Sequence, residues 1–330
     1  MTAPTLRWGV LGTANIGRAV NPAIHAAHNS TLVAVASRDA GKARAYAHQW
    51  SIPRCHASYL DLLTDAEIDA VYIPLPNGLH KEWTIRAAEH GKHILCEKPL
   101  ALTASECREM HRAAVANGVT LMEAFMYRFH PRTERVIELV HGGSLGIVRA
   151  IRSAFTFRLM RPNDVRFDAT LGGGALFDVG CYCVSAARTI AAAEPVEVQA
   201  WATYTDRDVD EQLAGTMRFA SGLVAHFDCA LNQETRQFYD IGGTDASIQI
   251  EAAFNPGVRE LSLVQRGVNR DEHREEFTAI DQYRLMVEHF ADCALHQRPV
   301  RYDALEAAAN MTAIEALYHS ARSGGRPVRM

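Results

Sequence analysis

Three side chains in this sequence could together assist the transfer of a proton. Lys98 lies in the run Glu97-Lys98-Pro99, and Asp178 and Tyr182 follow a glycine run at 172–174. Their spacing of four residues would place Asp178 and Tyr182 one turn apart on the same face of a helix. A tyrosine near a cation is a candidate acid or base, because an opposite charge favours the ionised phenol. Taken singly, each residue also fits a structural role, as a surface lysine, a helix-start charge or a core aromatic ring.

The segment from Gly9 to Gly17 contains a second pattern, typical of a phosphate-binding turn. Gly12 permits a tight turn between a strand and a helix, and Gly17 lets the helix and strand pack closely. Backbone N–H groups at the helix start could then bind a pyrophosphate. The match to Gly-x-Gly-x-x-Gly is imperfect, since alanine replaces the middle glycine. The predicted cofactor-binding residues of this turn are Gly12, Thr13, Ala14, Asn15 and Ile16.

The end of the second predicted strand indicates which dinucleotide is bound. NAD sites usually place an acidic residue there to bind the ribose 2′-hydroxyl, whereas Ser37 and Arg38 stand here, with Lys42 nearby. A hydroxyl followed by a guanidinium can hold a 2′-phosphate. We therefore expect NADP rather than NAD, and we expect Asp39 to cap the next helix. The alternative is that Arg38 is a solvated surface charge.

Alternating strands and helices must position these residues in the first part of the chain. Apolar runs predict strands at 6–11, 31–36, 70–73, 93–96 and 120–123. Helical patterns lie between them at 15–28, 40–50 and 79–90, and Ser58 and Thr103 have the spacing of helix caps. Such alternation is typical of a parallel sheet. We expect an α/β domain over residues 1–124.

The pattern of the remaining residues, 125–330, predicts an α+β domain with an open, mostly antiparallel sheet. Strand-like runs lie at 147–157, 196–204, 213–219, 223–231 and 247–251. The runs on either side of Ser221-Gly222 alternate as in a hairpin. Two helices are predicted at 282–296 and 304–323.

Composition excludes several classes of protein. The chain of 330 residues carries a net charge of −4, without the basic footprint of a nucleic-acid binder. Its seven cysteines show no metal-ligand spacing, so we expect no metal and a reduced, cytoplasmic protein. We also expect no membrane span and no signal peptide, because the apolar runs are short.

The motifs taken together resemble the Gfo/Idh/MocA oxidoreductase family. The resemblance rests on Glu97-Lys98-Pro99, the glycine turn, the segment 74–80, the Asp178-x-x-x-Tyr182 helix and Tyr283 at a late helix start, and it spans essentially the whole chain. It implies a Rossmann domain followed by an open-faced sheet domain, with the substrate between cofactor and sheet. It also implies that the lysine contacts cofactor and substrate and that the Lys-Pro bond is often cis. Members commonly carry histidine where this chain has tyrosine, and the tyrosine form is similar to glucose–fructose oxidoreductase, dihydrodiol dehydrogenase and NADP-linked xylose dehydrogenases.

The resemblance assigns roles to individual residues. Tyr182 is expected to take the proton, Lys98 to lower the tyrosine pKa and stabilise an alkoxide, and Asp178 to orient Lys98 or the substrate hydroxyl. Further cofactor contacts are expected at Leu75, Pro76, Asn77, His80, Glu97, Lys98, Arg166 and Tyr283. Substrate contacts are expected at Arg158, Asn163, Asp178 and Tyr182. A solvated surface loop is the alternative for the segment 158–166.

The expected function is that of an NADP-dependent oxidoreductase acting on a sugar, such as D-xylose or D-glucose, or on a similar polyhydroxylated ring. Two other activities fit the same residues, namely trans-dihydrodiol dehydrogenase and keto-sugar reductase. A redox-sensing NADP(H)-binding protein is the non-enzymatic alternative. An open sheet needs covering, so we expect a homodimer or homotetramer through that face.

Overall fold

The computed structural model describes residues 4–269 and 271–330 and divides them into two compact units. Residues up to Met126, together with Asp281–Ala308, form the first unit. Tyr127–Ile280 and Ala309–Met330 form the second. The expected boundary near 124 lies close to the observed change of unit at 126, but the second half is not one continuous domain.

A parallel sheet forms the centre of the first unit. Its described strands are β1 (Leu6–Leu11), β2 (Ser30–Ala36), β3 (Arg54–His56), β4 (Ala70–Ile73), β5 (His93–Glu97) and β6 (Leu121–Ala124). They are arranged in the order β3-β2-β1-β4-β5-β6, and each pairs in parallel with its neighbours. Most side chains of these strands are buried, as expected where helices cover both faces. The predicted α/β class is confirmed, and β3 is the strand that the sequence did not predict.

The helices of the first unit are α1 (Gly17–Ala26), α2 (Ala40–Gln49), α3 (Tyr59–Leu63), α4 (His80–Glu89), α5 (Ala104–Ala116) and α8 (Gln282–Leu295). Three of them, α2, α3 and α5, begin where the capping residues Asp39, Ser58 and Thr103 predict them. The hydroxyl of Ser58 accepts a hydrogen bond from Asp61 N at 3.0 Å, and that of Thr103 accepts one from Glu106 N at 3.1 Å. Each bond satisfies a backbone donor that the helix itself leaves without a partner.

Helix α8 belongs to the first unit although it lies late in the chain. The rings of Phe290 and Trp8 have centroids 5.1 Å apart, and Asn29 Nδ2 donates a hydrogen bond to the Glu288 carbonyl at 2.9 Å. These contacts cover the face of β1 beside α1. The sequence predicts this helix but not the surface that it covers, and the structure places it in the first unit rather than in the continuous domain expected over 125–330.

A mostly antiparallel sheet dominates the second unit. Its described strands are β7 (Val148–Arg158), β8 (Pro195–Tyr204), β9 (Asp210–Phe219), β10 (Val224–Ala230), β11 (Asn232–Gly243), β12 (Ala246–Glu251), β13 (Leu261–Gly267), β14 (Glu272–Phe277) and β15 (Val328–Arg329). Their order is β14-β13-β12-β11-β7-β10-β9-β8-β15, with β10 and β7 the parallel pair. The predicted hairpin is the antiparallel pair β9–β10, in which Arg218 faces Val224. Strand β11 was not predicted, because its polar, half-exposed sequence lacks an alternating apolar pattern.

Helices cover one face of this sheet, where α7 (Cys181–Ala191) packs on β7 and β10 and α6 (Pro131–His141) packs on β13. Helix α9 (Ala304–Arg322) begins within the first unit and continues into the second. On the sheet, Trp201 is 54% exposed, and the Arg152 guanidinium lies 3.3 Å from the Asp240 carboxylate at the surface. The open sheet that the sequence predicts is thus present.

Of the residues that the structure describes, no helix combines the length and the apolar character that a bilayer crossing requires. Within the same residues, no three His, Cys, Asp or Glu side chains are grouped so that they could hold a metal ion, and the cysteines form no disulfide.

Candidate functional site

The glycine turn after β1 has the geometry that its sequence predicts. Gly12 adopts φ +114°, a conformation that disfavours side chains, and a Cβ there would lie 3.1 Å from Leu75 Cδ2. A Cβ at Gly17 would overlap the hydroxyl of Tyr46 on α2. Gly17 therefore permits close packing, as predicted, but the tightest contact is with the side chain of Tyr46.

The N-terminus of α1 is open to a ligand. No side chain among the described residues caps it, whereas Asp39, Ser58 and Thr103 cap α2, α3 and α5. Thr13, Ala14 and Ile16 are half-buried, and Asn15 is exposed. An uncapped helix start after a glycine turn is the arrangement that binds phosphate groups.

The residues after β2 leave cationic side chains at the surface. Asp39 accepts a hydrogen bond from Lys42 N at 3.0 Å and so caps α2, as predicted. This bond holds the pKa of Asp39 below its ordinary value. The buried Ser37 hydroxyl accepts from Asp39 N at 3.2 Å and keeps its own proton to donate. Arg38 and Lys42 are exposed, so two positive charges are available to a 2′-phosphate, while the exposed Asp39 carboxylate is engaged as the cap of α2.

His80 links the segment after β4 to the segment after β5. Its Nδ1 lies 3.0 Å from the Pro99 carbonyl oxygen and its Nε2 lies 2.7 Å from that of Leu75. Burial lowers the pKa of this histidine, whose side chain has no exposed surface. The protein encloses this ring on both sides, so His80 positions its neighbours, and the cofactor contact expected of it stays a prediction. Leu75 is also buried, while Pro76 and Asn77 are half-buried.

Lys98 follows β5 at the carboxyl end of the sheet, and its bond to Pro99 is cis. The preceding carboxylate, Glu97, accepts hydrogen bonds from the Tyr72 hydroxyl at 2.6 Å and from Lys98 N at 3.3 Å. Two causes raise the pKa of Tyr72, of which burial is the larger and the negative charge of Glu97 the second. The same two causes raise the pKa of Tyr283, so Tyr283 lies within electrostatic reach of Glu97.

These segments share one edge of the first unit. Strands β1, β2, β4 and β5 are parallel, so their carboxyl ends carry the glycine turn, Ser37, Leu75 and Lys98 side by side. The strand order reverses between β1 and β4, and such switch points bind dinucleotides in sheets of this order.

In the second unit, Asp178 is paired with an arginine that the sequence did not assign to it. The Arg166 Nε donates to Asp178 Oδ2 at 2.5 Å, and Arg166 Nη1 donates to Asp164 Oδ1 at 3.1 Å. The charge of Asp178 is the largest cause that raises the pKa of Arg166. The pair fixes the Asp178 carboxylate, and the cofactor contact expected of Arg166 stays a prediction.

Asp178 and Tyr182 lie on a helix that begins with a π-helical turn at Leu176–Gly180 and continues as α7. Turns of this kind are frequent at functional sites. Tyr182 is 5% exposed. The centroid of its ring lies 5.7 Å from that of Tyr127, 5.3 Å from that of Phe155 and 5.5 Å from that of Phe254. These contacts fix the plane of the phenol.

The loop between β7 and the π-helical turn carries the two further expected substrate contacts, Arg158 and Asn163. Both side chains are exposed. The end of the loop is attached to the glycine run, since Gly173 N donates to the Asp168 carbonyl at 2.9 Å and Gly174 N donates to the Arg166 carbonyl at 3.0 Å. Either a cleft wall or a solvated loop is compatible with this exposure.

Sequence reasoning missed a buried carboxyl group beside the glycine run. Asp210, 2% exposed at the start of β9, accepts hydrogen bonds from Leu176 N and from the Tyr318 hydroxyl, each at 2.8 Å. Burial raises the pKa of Asp210 to about 6. The surrounding acidic segment, 206–210, has the pattern of a surface turn, so no signal marks this aspartate as buried.

Comparison with known families now assigns the chain to one of them. The family model described as "Oxidoreductase family, NAD-binding Rossmann fold" matches residues 6–125, and the model of the "GFO/IDH/MocA C-terminal domain" matches residues 133–249. The chain belongs to the Gfo/Idh/MocA oxidoreductase family, as its motifs predict.

Individual relatives span nearly the whole chain. A D-xylose 1-dehydrogenase (NADP(+)) of Haloferax volcanii is 41% identical over 322 residues, which cover 97% of this chain and 98% of that protein. A trans-1,2-dihydrobenzene-1,2-diol dehydrogenase of Mus musculus is 31% identical and covers 76% of each chain. The crystal structure of a 3-ketoreductase from Actinomadura kijaniata, in complex with NADP and TDP-benzene, has a TM-score of 0.91 at 28% identity, covering 96% of this chain and 98% of that one.

Proposed function

We propose that this protein is an NADP-dependent dehydrogenase of an aldose such as D-xylose or D-glucose. The observation that carries the proposal is the start of one helix in the second unit, where Asp178 is fixed by Arg166 and Tyr182 supplies a phenol held in an aromatic cluster. A phenol whose plane is fixed is suited to exchange a proton with a sugar hydroxyl. The similarity to the xylose dehydrogenase of Haloferax volcanii supports an aldose as substrate.

The first unit provides the elements that NADP requires. The uncapped start of α1 would receive the pyrophosphate, and Ser37, Arg38 and Lys42 would surround the 2′-phosphate. When bound, NADP⁺ supplies the acceptor for a hydride. The segments held by His80 and Glu97 would then fix Leu75 and Lys98 at the same sheet edge.

The side chains have separate roles in the proposed reaction. Tyr182 takes the proton from the sugar hydroxyl, and Asp178, fixed by Arg166, orients that hydroxyl. Lys98 stabilises the negative charge that develops on the sugar oxygen. None of these roles needs a metal ion.

The test is a survey of substrates with purified protein. NADP⁺ is mixed with a panel of aldoses that includes xylose and glucose, and NADPH absorbance is followed; NAD⁺ serves as the parallel cofactor control. Formation of NADPH with a pentose or hexose supports the proposal. If no aldose reacts although NADPH binds, the aldose proposal is wrong.

A second candidate, reduction of a keto-sugar or oxidation of a dihydrodiol, is favoured by the similarity to the 3-ketoreductase and to the diol dehydrogenase. Supplying NADPH with keto-sugars, and NADP⁺ with a trans-dihydrodiol, distinguishes these activities. Binding of NADPH without turnover of any of these substrates would indicate a redox-sensing protein.

We further propose a homodimer or homotetramer that forms through the open sheet face, in a reducing cytoplasmic setting. The half-exposed Trp201 on this face supports an interface between copies. Light scattering of the purified protein measures the number of chains directly.

A further inference from the structure

Asp210 lies at the point where the helix with Asp178 and Tyr182 begins. Its Oδ2 accepts the hydrogen bond from Leu176 N, the first amide of the π-helical turn, and its Oδ1 accepts that of the Tyr318 hydroxyl on α9. Both oxygens of a carboxylate that is 2% exposed are thus occupied by donors from two different elements. The carboxylate joins the start of the π-helical turn to α9.

The glycine run is seated against this carboxylate. Gly174 adopts φ +128°, and a Cβ there would overlap Asp210 and lie 2.9 Å from the Tyr318 hydroxyl. The same glycine donates its N–H to the Arg166 carbonyl at 3.0 Å, and Arg166 holds Asp178. A shift of Asp210 would therefore move Gly174, and through the Gly174–Arg166 hydrogen bond it would move the Arg166–Asp178 pair.

We infer that Asp210, clamped by Leu176 and Tyr318, is a positioning residue that sets the start of the π-helical turn and through it the geometry of Asp178 and Tyr182. The inference rests on the proposed function for its kinetic consequences, but not for its structural ones. Asp210 does not touch the reacting atoms; it acts through the backbone of residues 174–176.

An ionised carboxylate suits this clamp because it accepts two hydrogen bonds and donates none. An amide would present an N–H group to one of the two donors, so one bond would be lost or reversed. The titratable groups that influence Asp210 or feel its charge are Tyr318 and Arg322 on α9, Tyr204 on β8 and Cys229 on β10. Since its pKa is raised to about 6, the clamp weakens as the pH falls through that value.

The experiment combines hydrogen–deuterium exchange with kinetics for Asp210→Asn, Asp210→Ala and Tyr318→Phe. We expect exchange of the amides at 174–176 and at 166–168 to rise at least tenfold in Asp210→Ala, with smaller rises in the other two variants. We expect kcat to fall roughly tenfold to a hundredfold in Asp210→Ala, since misplacement by about 1 Å has this effect. KM and the Kd for NADPH should change less than about twofold, because no binding contact is removed.

Asp69→Asn is the matched control. Asp69 pairs with Arg7 at 2.7 Å at the amino end of β4 in the first unit, far along the strand from its ligand-binding end. It should leave kcat and exchange at 166–176 unchanged. In the wild type, kcat should decrease as the pH falls through about 6, because Asp210 becomes protonated. In Asp210→Asn, kcat should be independent of pH in this range and equal to the low value of the protonated wild type.

Unchanged exchange at 166–168 in all three Asp210 and Tyr318 variants overturns the inference, whatever the activity. Raised exchange with wild-type kcat overturns it as well, because the position of the turn would then not matter. If the wild type reacts with none of the substrates, the proposed function fails by itself, and the exchange data still decide whether the clamp holds the turn. Because Asp210→Asn and Tyr318→Phe preserve side-chain shape, they keep the test decisive if Asp210→Ala does not fold.

Discussion

Replacing the Asp210 carboxyl with an amide should change how the free energy of unfolding depends on pH. Burial raises the pKa of Asp210 from 3.8 to about 6, so the folded protein binds this proton more tightly than the unfolded chain does. The stability gained from protonation is therefore fully present below about pH 4 and is lost as the pH rises through about 6. At 1.36 kcal/mol per pKa unit, the loss is about 3 kcal/mol. Asp210→Asn has no such proton to lose.

The measurement is denaturant unfolding of the wild type and Asp210→Asn at a series of pH values from about 4 to about 8. As the pH rises across that range, the free energy of unfolding of the wild type should fall by about 3 kcal/mol relative to that of Asp210→Asn. The control, Asp69→Asn, should show the opposite dependence on pH. Burial raises the pKa of Asp69, but the hydrogen bonds from Arg7 outweigh it and hold this pKa below its ordinary value. The wild type should therefore lose stability relative to Asp69→Asn as the pH falls. A difference between wild type and Asp210→Asn that stays constant with pH would refute the reasoning.

Three further predictions concern catalysis, cofactor choice and assembly. Tyr182→Phe should lower kcat by about a hundredfold or more, because it removes the proton acceptor while leaving the ring in its cluster. NADPH titration should show unchanged binding, and retained turnover would exclude this tyrosine from the chemistry. Arg38→Ala should weaken NADP⁺ binding about tenfold to a hundredfold by removing a charged hydrogen bond, without effect on NAD⁺, as measured by fluorescence titration; equal loss for both cofactors would contradict the 2′-phosphate assignment. Trp201→Asp should reduce the particle mass in light scattering by placing a charge on the open sheet, while Val115→Asp on α5, an exposed site of the first unit, should not; an unchanged mass for Trp201→Asp would place the interface elsewhere.

The sequence predicts the elements of the first unit closely because several independent signals coincide there. The hydroxyls of Ser58 and Thr103 mark helix starts because each accepts a hydrogen bond from the amide three residues later, and apolar runs mark buried parallel strands. Such signals are local, so they can be read without knowing the fold. The same holds for the hairpin of β9 and β10, whose turn and alternation lie within one segment.

The interactions that sequence could not predict join residues that lie far apart in the chain or have ordinary surroundings. Asp210 and Tyr318 are separated by 108 positions, and neither lies in a motif. Tyr72 sits in an apolar run and looks like a core residue, yet its hydroxyl fixes Glu97. For His80, the motif did not indicate that the ring would be fully buried, because burial is a property of the packed structure rather than of the motif.

The return of residues 281–308 to the first unit has a consequence for the order of folding during synthesis. Strand β1 leaves the ribosome early, but Phe290, which packs on Trp8, is added only after strands β7 to β14 of the second unit have been synthesised. The Trp8 ring therefore lacks its contact with Phe290 throughout that interval. The second unit also includes residues 309–330, so each unit contains segments from the last part of the chain. A truncation before residue 281 would therefore remove the ring that packs on Trp8 in the first unit as well as the final segment of the second.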